Sequence, residues 1–271
     1  MELRFIKTSP TENMTLLIET PVPREKHLEI AEKLIAYGSV YAEQAGYIEE
    51  PENPAAEKRL QMMAGEFCGN ASLSLAAVLA EEKGLSVGEE TEIILEVSGA
   101  DSLVNCRMKK EEIGYSGRVV MPLPQAIAYR TFHLEGETYE LAEVVFEGIS
   151  HVIVPVSLWG ENATEKAELA AKVWAAEMPA AFGILLFEEE KGELRPLVSV
   201  QGVTLIWERG CGSGTSAIGC YLAAKEGRSL SVSLKQPGGI MSAEISYANG
   251  TITSLHITGK VSIVAKGTAY I

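Results

Sequence analysis

The chain has 271 residues, 46% hydrophobic and 22% charged, with a formal net charge of −14 and a pI near 4.9. This length holds two cores of about 100–150 residues each. The acidic balance argues against nucleic acid and anionic membrane as partners, since both reward clustered Lys and Arg.

Leu3–Lys7 and Met14–Glu19 read as strands on either side of the loop Ser9–Asn13. No run of about 18 apolar residues predicts a transmembrane helix. Met1–Arg4 carries acid and no long apolar core, so no signal peptide is expected, and the expected setting is the cytoplasm. Pro21 and Pro23 break the chain, and Leu28, Ala31, Leu34 and Ile35 fall at helical spacing within Glu25–Tyr37. Gln44–Ile48 is a short strand, and Glu49–Glu57, with Pro51 and Pro54, an exposed loop. Leu60–Met63 is a strand feeding Cys68-Gly69-Asn70-Ala71-Ser72, which opens a segment running to Lys83-Gly84. Thr91–Val97 and Ser102–Met108 form a hairpin, and Arg118–Pro124 marks the crossover into a second half.

There Thr138–Phe146, His151–Val156 and Ile184–Phe187 read as strands and Thr164–Ala176 as a helix. Val203–Trp207 is a short buried strand. The glycine-rich turn around Cys211-Gly212-Ser213-Gly214-Thr215 and a buried helix, Ser216–Lys225, come after it. Ser229–Lys235 and Ile240–Ile245 form another hairpin, and Leu255–Ile271 two closing strands around Lys266-Gly267. Strands and a few helices in two similar halves give an α+β reading.

The two cysteine segments are equal in length and match at Cys68/Cys211, Gly69/Gly212, Leu79/Leu222, Ala80/Ala223 and Gly84/Gly227, about half a chain apart. The stretch after each segment also repeats: an alternating run, a glycine turn, a second run. This is one duplication, not a solenoid. Two copies related by a pseudo-twofold are expected to bring two helix N-termini and two cysteines to one cleft.

Each cysteine stands where a chain enters a helix. Unpaired backbone N–H groups and the positive end of the helix dipole suit an anion there and favour a thiolate. Removing the α-proton of an amino acid needs an aligned base and stabilisation of the enolate-like carboxylate. Racemisation needs a second group on the opposite face. Cys68 and Cys211, one thiolate and one thiol, fit that task, and backbone N–H groups at Gly69-Asn70 and Gly212-Ser213 fit the carboxylate. A packed core thiol is the plain alternative for a lone Cys-Gly; two duplicated ones weaken it. Cys106 and Cys220 lack the glycine context and are core thiols by default, and no CxxC spacing points to disulfides. Glu208 suits a substrate ammonium, with a solvated charge as its plain reading. His27, His133 and His256 show no metal-ligand spacing.

Asn13-Met14-Thr15, Glu43-Gln44-Ala45-Gly46, Gly65–Ala71, Val97-Ser98-Gly99, Leu205–Glu208, Cys211–Thr215, Gln236–Gly239 and Gly267–Ile271 together resemble the diaminopimelate epimerase-like superfamily. These are cofactor-independent amino-acid racemases and epimerases. Within the superfamily the resemblance is to the histidine racemases of staphylopine-type metallophore pathways. It implies two pseudo-symmetric halves, each a curled mixed sheet or barrel around a central helix, spanning residues 1–118 plus 257–271 and residues 119–256. It implies L-histidine as substrate, no cofactor or metal, and a homodimer. It also raises Asn13, Glu43, Asn70, His151 and Arg209 to substrate contacts, where the plain readings are turn residues, solvated charges and a satisfied strand histidine.

The pattern departs from the diaminopimelate enzymes. Cys211 comes almost at once after Glu208-Arg209, Ile149 stands in Gly148-Ile149-Ser150-His151 where they carry Asn, and a second Asn expected near Gly183-Ile184 is missing. A second zwitterionic end would lose hydrogen bonds each worth about 1.5–3 kcal/mol. Diaminopimelate, or a single-centre amino acid other than histidine, stays as the alternative substrate. A catalytically silent ligand-binding relative is a further alternative, against which both retained cysteines speak. Gly212-x-Gly214-x-x-Ala217 after a strand is a formal dinucleotide fingerprint, but the acid expected about twenty residues on is absent. No lysine context suggests a pyridoxal site.

Overall fold

The computed structural model describes residues 1–202 and 204–271. The chain divides into two compact units, Met1–Val120 with Thr258–Ile271, and Met121–Ile257.

Unit 1 runs β1 (Glu2–Pro10), β2 (Thr15–Ile18), α1 (His27–Ile35), β3 (Gln44–Glu49), β4 (Lys58–Met62), α2 (Gly69–Glu82), β5 (Glu90–Val97), β6 (Val104–Lys110) and β7 (Tyr115–Val120). β1–β2 is antiparallel, β2–β3 parallel, β3–β4 antiparallel, β4–β5 parallel, and β5–β6–β7 antiparallel. The two parallel steps are the two places where a helix intervenes, as a crossover requires. Amphipathic α1 lays Ile30, Ala31 and Leu34 on Leu3, Leu16, Ile18 and Tyr47. Each such buried side chain contributes about 1.5–3 kcal/mol. By contrast α2 is buried on all sides from Gly69 to Ala80 and packs on β1, β2 and β4 to β7. Its lack of a polar stripe results from that central position.

Unit 2 repeats the scheme with β8 (Ala126–Leu134), β9 (Glu137–Phe146), β10 (Ile149–Pro155), α3 (Val156–Trp159), α4 (Ala163–Trp174), β11 (Ala181–Glu188), β12 (Glu193–Val200), β13 (Thr204–Trp207), α5 (Gly212–Glu226), β14 (Leu230–Gln236) and β15 (Gly239–Ala248); the last strand, β16 (Thr251–Tyr270), begins in unit 2 and belongs to unit 1 from Thr258 on. From β9 onward the pairings again run antiparallel, parallel, antiparallel, parallel, antiparallel. Alternation sorts the faces. Val152 and Val154 of β10, with Ile184 and Leu186 of β11, meet Ala167, Ala171 and Trp174 of α4 in one core. α5, built from small residues and buried along Gly212–Ala223, packs against β8, β9, β10, β14 and β15.

The expectation of a barrel is corrected. In unit 1, β16 lies beside β7 and also pairs with β1, so eight strands adjoin one another in a ring. That ring is not a barrel. β1 takes Val261–Tyr270 of β16, with a register break between Lys7 and Thr8. The chain leaving β7 bonds farther back, Met121 N–H to Leu255 O at 2.9 Å. The neighbours use successive stretches of one long strand, whereas closure needs both edges flanked with a consistent stagger. In unit 2 no pairing among the described residues joins β8 to β16, so that sheet is open.

Other boundaries differ from expectation. The two closing strands are one strand of 20 residues, because Gly267 continues the β1 ladder opposite Phe5 without a turn. α5 begins at Gly212, not Ser216, and takes the glycine-rich turn into its first turn. β8 and β12 are strands beyond those expected from the sequence pattern. β12 carries Pro196, which demotes a strand in sequence, yet pairs here with both β11 and β13. The predicted buried strand Val203–Trp207 starts at a residue outside the described ones; Thr204–Trp207 is β13, and it is not buried, with Leu205 exposed and the other three half-buried.

Candidate functional site

Cys68 and Cys211 hold the same position in their units. Each has extended backbone, φ −135° and ψ 112° for Cys68, φ −104° and ψ 111° for Cys211, and each is the residue capping its helix. A cap residue's side chain accepts from the third helical N–H, and sulfur does so here. Ala71 N–H donates to Cys68 Sγ at 3.4 Å and Gly214 N–H to Cys211 Sγ at 3.2 Å. Both carbonyls are held alike, by Ser72 Oγ at 2.8 Å and Thr215 Oγ1 at 2.7 Å.

In unit 1 the thiol of Cys68 donates to Gln44 Oε1 at 3.0 Å. Gln44 Nε2 donates to Asn13 Oδ1 at 2.6 Å and Thr15 Oγ1 at 2.9 Å, and Asn13 Nδ2 donates to Glu43 Oε2 at 2.7 Å. Five residues thus form one hydrogen-bonded network: Asn13 of the β1–β2 loop, Thr15 of β2, Glu43 and Gln44 at the entry to β3, and the α2 cap Cys68. Asn13, Glu43, Gly69 and Asn70, expected at a substrate site, lie along it or in the first turn it leads to. Asn13 and Asn70 are both buried.

In unit 2, Cys211 is 2% exposed. Gln236 grips it, taking Cys211 N–H on Oε1 at 2.8 Å and giving Nε2–H to Thr215 Oγ1 at 2.7 Å. Burial pushes the Cys211 thiol well above its usual range. The negative charge of Glu208 and the hydrogen bond to it push the same way, while Ser213 and Gly214 N–H oppose them. Ser213 Oγ lies 3.5 Å from the sulfur. Arg209 turns to the β14–β15 loop, its Nη2 donating to Pro237 O at 3.2 Å, while its carbonyl accepts from Gly238 N–H at 2.7 Å.

His151 stands opposite Gly183 in the β10–β11 ladder, with its ring edge-on to Phe146. It is 0% exposed, neither ring nitrogen has a hydrogen-bond partner, and burial lowers its pKa to about 3. The neutral ring fits only because residue 183 is glycine: a Cβ there would sit 2.3 Å from His151 Nδ1. Gln44, Thr15 and Gln236 were missed as site residues. Gln44 and Gln236 stood inside the motif stretches, but each lies 24 or 25 residues from its cysteine, so no local signal tied them to it. A cavity of about 830 Å³ in unit 2, lined by Tyr129, Leu141, Ile153, Phe187 and Tyr221 among others, contains none of the expected site residues.

Residues 2–270 match the family model described as the histidine racemase CntK N-terminal domain. The chain belongs to this histidine racemase family. It is 32% identical to a histidine racemase of Fusobacterium nucleatum, over 99% of this chain and 97% of that one. It is 30% identical to a histidine racemase of Staphylococcus aureus, over 99% and 98%. The fold is shared with a hydroxyproline epimerase from Agrobacterium vitis at a TM-score of 0.74 and 14% identity, covering 99% of this chain and 92% of that one. Membership makes the chain an isomerase, a cofactor-independent amino-acid racemase or epimerase of the diaminopimelate epimerase-like superfamily. No helix among the described residues is long and apolar enough to cross a membrane.

Proposed function

We propose that this enzyme interconverts L- and D-histidine, with Cys68 and Cys211 as the acid–base pair. The observation that carries this reading is the cap built twice: each sulfur accepts a helix N–H, which stabilises a thiolate, and each thiol has a fixed oxygen to donate to, which stabilises the protonated form. A group that alternates between base and acid needs both partners. One sulfur takes the α-proton and the electron pair stays on the substrate, spread into its carboxylate. The other thiol then delivers a proton to the opposite face. First-turn N–H groups of α2 and α5 are proposed to hold the carboxylate, with Glu208 on the ammonium. Asn13, Glu43, Asn70, His151 and Arg209 are proposed as the remaining contacts.

Histidine is favoured over other single-centre amino acids because the two relatives matched across almost their whole lengths are histidine racemases. The acidic chain with four free cysteines fits a cytoplasmic enzyme, and a homodimer is proposed with it. The test is L-histidine in deuterated buffer with no added metal or pyridoxal phosphate, with chiral separation and loss of the α-proton signal as readouts. D-histidine carrying solvent deuterium is expected. Cys68→Ser and Cys211→Ser should each lower kcat by about 10²–10⁴-fold, the range of a lost acid–base group. Full activity in either variant, or strict dependence on a cofactor, would refute the pair.

A further inference from the structure

The two caps are alike, but their acceptors are not. The Cys68 thiol donates to a neutral amide oxygen on Gln44. The Cys211 thiol donates to the carboxylate of Glu208 and is almost wholly buried. Gln44 cannot present its other end. Its Nε2 is committed to Asn13 Oδ1 and Thr15 Oγ1, and the Asn13 amide is oriented in turn by Glu43. Cys68 therefore meets an oxygen dipole on one side and the Ala71 N–H on the other. The acids on the segments meeting at Cys68 are Glu12, Glu43 and Glu66. Glu43 holds Asn13, and Glu66 accepts Ala64 N–H while burial raises its own pKa. On the segment leading into Cys211 the charged residues are Glu208 and Arg209, and the Arg209 guanidinium bonds Pro237 O. A thiolate at Cys211 would put two negative charges side by side in a buried place; one at Cys68 would not.

We propose that Gln44 is a positioning residue that makes Cys68, and not Cys211, the cysteine carrying the thiolate in the resting enzyme. This rests on the two-cysteine reading and deepens it. In the forward half-turnover the substrate C–H bond breaks, its proton passes to Cys68 Sγ, and the electron pair stays on the substrate. The Cys211 S–H bond then breaks, its proton goes to carbon, and its pair remains on Cys211 as thiolate beside Glu208. Transfer of one proton through solvent from Cys68 to Cys211 restores the start, and that reset runs downhill.

The test reads charge without substrate, by ultraviolet thiolate absorbance against pH in Cys211→Ser and Cys68→Ser proteins. The Cys68 thiol should ionise at the lower pH, by more than about one unit, a tenfold difference in thiolate at fixed pH. Adding Gln44→Glu to Cys211→Ser supplies the missing carboxylate and should move the Cys68 curve up by about one unit or more. A role that is only structural would not move it in that direction. On unmodified protein, iodoacetamide at graded pH with peptide mapping should give the lower midpoint at Cys68. The proposal is overturned if Cys211 ionises at or below the pH of Cys68, or if folded Gln44→Glu protein leaves the Cys68 curve in place. If the titrations come out as expected while either serine variant still racemises histidine, the two-cysteine reading fails and the charge assignment stands.

Discussion

His151 shows how much a single buried side chain ties stability to pH. An unfolded histidine titrates near 6.5, while burial holds this one at about 3. Below about pH 6.5 the unfolded chain binds a proton that the folded chain refuses, so stability falls as pH drops through that window and is unaffected above it. His151→Leu should remove this slope. Between about pH 7 and pH 4 the parent protein should lose roughly 2–3 kcal/mol more than the variant, read from urea midpoints at each pH. Equal losses would mean that the ring finds a partner on protonation. At this scale the cysteines were legible in the sequence, because two Cys-Gly pairs each open a segment of small residues. Gln44 and Gln236 were not, since each amide meets its cysteine 24 or 25 residues away and only the fold brings them together.

Elements explain why the cysteine loops hold their shape. In unit 1 the turn between β5 and β6 braces the loop ahead of Cys68: Ser98 Oγ accepts Met62 N–H at 2.9 Å and donates to Glu66 O at 2.9 Å. In unit 2 the turn between β14 and β15 does the same for Cys211 through Gln236 and Gly238. Gly99 is the tightest point of the brace. Its φ is +69°, and a Cβ would lie 2.4 Å from Phe67 N and 2.7 Å from Glu66 C. Gly99→Ala must strain its own backbone or push Glu66-Phe67 away and carry Cys68 off its cap. A loss of about 1–3 kcal/mol of stability is expected. With it, kcat/KM should fall by about 10²-fold, as displacements near 1 Å do. Ser98→Ala should show a milder form of both; unchanged activity in folded Gly99→Ala protein would disprove the brace. Sequence pattern located both hairpins and the core face of α1. It could not show that Leu255–Ile271 lies in one strand, or that the ring stays short of a barrel, because register and stagger decide those and alternation is the same either way.

Across the whole molecule the same order of parallel and antiparallel steps is built twice, and the halves differ in which side chains occupy equivalent places. That difference bears on substrate. β10 opens with half-buried Ile149, and β11 carries Phe182-Gly183-Ile184 beside it; neither stretch offers a side-chain amide. The polar side chains in that ladder are Ser150, whose hydroxyl is committed to Glu143, and neutral His151, with two unpartnered ring nitrogens. A distal α-amino acid end, doubly charged, would meet no full charge partner in this ladder and would lose its water in exchange for one neutral ring. A flat side chain with one donor and one acceptor can be matched by that ring, donor to acceptor. Sites built to hydrogen-bond a side chain reject analogues that lack it by up to about 10⁴-fold. The expected order of kcat/KM is therefore L-histidine far above L-proline and L-lysine, with LL-diaminopimelate lowest. His151→Phe, which keeps the ring's bulk and removes both nitrogens, should compress that order by lowering the histidine value alone. Turnover of diaminopimelate at least as fast as histidine would mean that Arg209 leaves Pro237 to bind the distal carboxylate, and that the ladder at Ile149 does not set the substrate.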